Sequence, residues 1–96
     1  MSPIKQRKLN NLRRKLDILD NSFIKLIKKR TNLVKKVLAL KDKKNQIIDQ
    51  KRIKKILNNI KKKSLKNNID PKITNKIWKN MIYAYIDFEK RNFKKK

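Results

Sequence analysis

The chain has 96 residues, with 31 Lys or Arg against seven Asp or Glu, a formal net charge of +24. It holds no Cys, His or Gly, which excludes a disulfide framework, thiolate or imidazole metal ligands, the usual nucleophile–base pairs and Gly-rich phosphate loops. The length allows one domain over residues 1–96, with a core small enough that a second copy would help stability. No apolar run is long enough for a signal peptide or a membrane span, so no membrane partner is expected and the expected location is the cytoplasm. The basic excess attracts phosphate backbones without regard to sequence. A second explanation competes: Lys, Asn and Ile, all with AT-rich codons, make up 51 of the 96 residues. The lysines are scattered over the helix faces, where a dedicated DNA reader would concentrate them on one. Drift is favoured over a nucleic-acid role as the source of the charge, and no specific nucleic-acid partner is expected.

Three helices and no strands are predicted, an all-α fold. The first runs from about Leu9 to about Leu40, unbroken by Pro or Gly, with residues 1–8 and 94–96 read as flexible ends. Leu9, Leu12, Leu16, Leu19, Phe23, Leu26, Arg30, Leu33, Val37 and Leu40 step by three and four, which puts them on one stripe. Thirty-odd residues at ~1.5 Å each make a rod approaching ~50 Å, long for so small a domain, and it calls for a partner along its length. Arg30 interrupts that stripe. A guanidinium cannot shed its proton to escape burial, so it needs an anion or a set of acceptors facing it. The chain has few acidic residues, and an anionic ligand is the natural candidate.

Lys41 follows Arg30 by three helical turns and projects to nearly the same side. Arg13 lies 28 residues before Lys41, about 42 Å along a straight helix, too far for one small ligand to touch both within one chain. Two antiparallel copies could bring Arg13 of one to Arg30 and Lys41 of the other. The plainer alternatives are a solvated Arg13 beside Arg14 and a Lys41 that closes the helix C-terminus.

The segment Asp42 to Ile48 reads as a loop. Asp49 is the N-cap of a second helix with apolar positions Ile53, Ile56, Leu57 and Ile60, closed by Lys66-Asn67-Asn68. Arg52 in its first turn opposes the helix dipole. It forms either a surface pair with Asp49 or part of an anion site. Asp70-Pro71 starts the third helix, which carries Ile73, Ile77, Trp78, Met81, Ile82, Tyr85, Ile86 and Phe88. Glu89, the sole glutamate, shares the stripe of Trp78, Ile82 and Tyr85. Apolar surroundings favour the neutral carboxyl, which can donate a hydrogen bond to a ligand oxygen. The alternative is a carboxylate paired with a lysine such as Lys90 or Lys79.

The ordered set Leu12-Arg13-x-x-Leu16-Asp17-x-Leu19-Asp20, Leu26-Ile27-x-x-Arg30-x-x-Leu33-Val34, Lys41 and Ile47-x-Asp49-x-x-Arg52 resembles the all-helical (type II) chorismate mutases. The third helix fits the same family through Ile77-Trp78-x-x-Met81-Ile82-x-x-Tyr85-Ile86-x-x-Glu89, and the likeness covers about Leu9 to Phe93. It implies an intertwined homodimer with two equivalent sites, each taking its first-helix arginine from the other chain. Arg13, so supplied, and Arg30 would hold the carboxylates of chorismate. Lys41 would contact a carboxylate and the ether oxygen, Arg52 another carboxylate edge. Asp49 would lie near the ring hydroxyl, and Glu89 would point at the ether oxygen.

Many of these mutases carry Glu directly after the second-helix arginine, where this chain has Ile53, and Tyr85 replaces a small polar residue. Isochorismate pyruvate lyases share the fold and often have an apolar residue and an aromatic there, but usually Gln at the Glu89 position. The resemblance thus implies conversion of chorismate to prephenate, with the lyase reaction or a basic nucleic-acid-binding protein as alternatives. The rearrangement is unimolecular and needs no metal, nucleophile or cofactor.

Overall fold

The computed structural model of the protein describes residues 1–95. Lys96, assigned above to a flexible end, lies outside the described residues. Three helices, α1 (Pro3–Ala39), α2 (Gln50–Lys66) and α3 (Pro71–Asn92), carry the chain, with a short 3-10 turn at Lys44–Gln46. The described residues form no strand, and the fold is all-α. None of the helices is long and apolar enough to cross a membrane.

α1 begins at Pro3 rather than near Leu9. Ser2 Oγ accepts from the Lys5 amide at 3.2 Å, and Pro3, at the first helical position, has no amide to leave unpaired. At the other end the amides of Leu40 and Lys41 reach the carbonyls of Val37 and Leu38 at 3.1 and 3.0 Å, three-residue bonds that tighten the last turn. In the loop that follows, Gln46 Oε1 accepts from the amides of Asp42 and Lys43, both at 2.8 Å. One amide side chain thereby fixes the turn between α1 and α2.

The two later helices start where their capping residues stand. Asp49 Oδ1 accepts from the Arg52 amide at 3.0 Å, and Asp70 Oδ1 from the Lys72 amide at 2.9 Å, ahead of Pro71. α2 stops in a Schellman turn. The Ile69 amide returns to the Ser64 carbonyl at 2.9 Å and the Asn68 amide to that of Leu65 at 3.3 Å. Asn68 holds the left-handed position, φ 56°. Asparagine tolerates that conformation, and the chain has no glycine to place there.

The chain divides into two compact units, Met1–Leu33 and Val34–Lys96. The first is helical and has no buried residue: Leu12, Leu16, Leu19, Phe23, Leu26 and Leu33 are each 55–61% exposed. The apolar stripe of α1 is therefore open along its length in a single chain. The second holds the core. Leu38, Ile47 and Ile86 are buried there, with Ile53, Ile82 and Phe93 packed against them. α2 also packs along α3, and the two helices are pinned by a polar link. Buried Ser64 donates through Oγ to the Ile60 carbonyl at 2.6 Å and lies 2.7 Å from Thr74 Oγ1.

Candidate functional site

The unit Val34–Lys96 brings a lysine and a carboxyl together from opposite ends of its sequence. Lys41 follows the tightened end of α1, and Glu89 sits three residues beyond the buried Ile86 on α3. Helical spacing of three carries Glu89 to the face of α3 that meets the core. Lys41 Nζ donates to Glu89 Oε1 at 3.1 Å, with the two side chains 20% and 8% exposed. Of the two described ion pairs this is the one shielded from water; Arg91–Asp87, on the surface of α3, leaves both side chains about two-thirds exposed. A charge pair held away from solvent is weakly screened and strongly directional. Such an ammonium can donate to an anion or an ether oxygen placed beside it.

Glu89 is thus paired with a lysine, and that lysine is Lys41 rather than Lys90 or Lys79. Those two lie on α3 itself, one residue after Glu89 and ten before it, whereas Lys41 comes from beyond the end of α1.

Asp49 and Arg52 meet through a backbone bond. The Asp49 side chain is engaged as the α2 cap on the Arg52 amide, while the Arg52 side chain stays exposed. Tyr85 is half-buried, one turn before Glu89 on α3. Arg13 and Arg30 belong to the unit Met1–Leu33 and are exposed. They lie seventeen residues apart on one helix, about 25 Å, and do not meet. Arg30 was expected to be enclosed by its apolar stripe. In the single chain the stripe is open along with it, because one helix cannot cover its own face.

Ile53 packs against Leu38, Ile47 and Ile86. The position directly after Arg52 is thus spent on the core, a use foreshadowed by its place among the apolar residues of α2. No group of His, Cys, Asp and Glu among the described residues could hold a metal ion.

A family model described as chorismate mutase type II matches residues 12–90. That span includes all of the candidate residues above, from Arg13 to Glu89. No curated protein and no solved structure matches the chain.

Proposed function

The chain belongs to the type II chorismate mutase family, and from that premise we propose that it catalyses the rearrangement of chorismate to prephenate. The observation that carries this reading is the shielded Lys41–Glu89 pair at 3.1 Å. In the reaction a carbon–oxygen bond of the enolpyruvyl ether breaks while a carbon–carbon bond forms within the same molecule, and nothing is gained or lost. Catalysis then has two parts. The flexible dianion is held in the folded conformer that brings the reacting carbons together. Donors are aimed at the ether oxygen, where negative charge grows as its bond to carbon breaks.

Lys41 Nζ supplies one donor. Glu89 is the second group turned to that oxygen, beside Lys41 in the resting pair. Arg30 binds a substrate carboxylate, together with Arg13 of the partner subunit in a homodimer. The open apolar stripe of α1 supports that pairing. Arg52 holds a second carboxylate edge. Asp49, with one oxygen on its cap bond, has the other for the ring hydroxyl, and Tyr85 lines the pocket beside Glu89.

The test is a direct assay of chorismate loss with product identification. Glu89→Ala is expected to slow the reaction about 10²-fold, and Glu89→Gln, whose amide carries a donor, to keep most of the rate. A Glu89→Ala variant as active as the unmodified chain rejects the role of Glu89. A second reading, release of pyruvate from isochorismate, is favoured by Ile53, which is committed to the core, and by the aromatic Tyr85. Offering both substrates in one assay separates the two.

A further inference from the structure

α2 departs from the scatter of charge elsewhere in the chain. It carries eight basic residues and no Asp or Glu. Its apolar edge, Ile53, Ile56, Leu57 and Ile60, is half-buried, and the helix packs against α3. On the opposite edge helical spacing aligns Lys51, Lys55, Lys62 and Lys66, with Asn58 and Asn59 between them, and all six are exposed. From Lys51 to Lys66 the row rises by fifteen residue steps, about 22 Å. The described ion pairs fall elsewhere, at Lys41–Glu89 and Arg91–Asp87.

We infer that this face of α2 is a sequence-independent binding surface for the phosphate backbone of nucleic acid. A rigid helix holds four ammonium groups in line at a cost in mutual repulsion. A polyanion laid along the row relieves that repulsion and releases its own condensed counterions. A small dianion cannot span such a row, so the surface is separate from the substrate site. A lipid surface fits less well, because a helix lying on a membrane buries its apolar face among the acyl chains, and that edge of α2 is already occupied by the fold. The lysine row includes no aromatic residue on which bases could stack, and contacts to phosphate alone carry no sequence information.

The experiment titrates the full chain against a random-sequence DNA duplex by fluorescence anisotropy, from about 50 to about 200 mM salt. Lys51, Lys55, Lys62 and Lys66 are changed together to Gln, a good helix former. A control variant changes Lys5, Lys8, Lys15 and Lys25, equally exposed on α1, to Gln, removing the same charge. Circular dichroism establishes that both stay helical. The α2 variant is expected to lose about 3 to 4 from the slope of log affinity against log salt, at about 0.9 per phosphate contact. Its binding weakens at least ~10²-fold at low salt, and the control keeps most of its slope. Equal losses in the two variants overturn the proposal, since net charge alone would then explain binding. So does an unmodified chain that fails to bind duplex at about 50 mM salt, or one that binds phosphatidylserine vesicles in preference to DNA.

Discussion

Glu89 gains its meaning from Lys41, and Lys41 from Glu89. Removing the lysine leaves a carboxyl that is only 8% exposed without its donor. Lys41→Ala should therefore lower stability by about 1–3 kcal/mol, the cost of an unsatisfied buried polar group. Glu89→Gln keeps an acceptor for Lys41 and should cost less than about 1 kcal/mol. Urea unfolding of the two variants checks the order, and the reverse order would show that the pair is not what holds this corner. On activity the lysine variant should fall about 10²–10³-fold, the loss typical of deleting one donor to a developing oxyanion. Residue spacing alone does not show this pairing, although the family resemblance turns both residues toward one ether oxygen. Forty-eight residues separate the partners, and helical periodicity says which face a residue occupies but not which residue of another helix it meets. Arg30 shows the same limit from the other side. Its place on an apolar stripe was readable, and it is exposed because one helix leaves its own face open.

Helix boundaries, by contrast, are written locally, in a few residues whose side chains satisfy orphan amides. Asp49 and Asp70-Pro71 were readable as starts because an aspartate cap and a first-position proline act on their own neighbours. Ser2-Pro3 follows the same grammar and begins α1. The apolar stripe, the stronger signal, starts only at Leu9 and hides that start. The Schellman turn at Asn68 was readable only as a stop, since a left-handed residue other than glycine declares itself in backbone angles. Asp49→Ala should destabilise the protein by about 1 kcal/mol through loss of the cap bond. Asn68→Ala should cost about 1–2 kcal/mol for a left-handed alanine, and Asn68→Gly should recover it. Thermal melts of the three variants test this, and a harmless Asn68→Ala would mean that the turn relaxes to another conformation. The Ser64–Thr74 link between α2 and α3 had no sequence signal, because a serine and a threonine ten residues apart are ordinary until two helices bring them to 2.7 Å.

At the scale of the whole molecule the open question is what covers α1. Six large apolar residues on the α1 stripe, Leu12 to Leu33, stand more than half exposed in one chain, and burying such a stripe gains about 25 cal/mol per Å2. The homodimer proposed above would meet that need and would also place a cation from each chain in the site of the other. If so, Phe23→Asp should yield monomers by analytical ultracentrifugation, with little activity. A sharper test distinguishes a composite site from dimerisation alone. Arg13→Ala and Lys41→Ala chains, each nearly inactive, are unfolded together and refolded as a mixture. A mixed dimer then has one site with both defects and one with neither, because the sound Lys41 and the sound Arg13 of the partner subunit meet in the same pocket. Random pairing makes about half of the dimers mixed, so activity should return to roughly a quarter of the unmodified level. If Arg13 instead served the site of its own chain, every site in the mixture would carry one defect. Activity would then stay at the level of the separate variants, and the cross-subunit arrangement would be wrong even if the dimer itself were real.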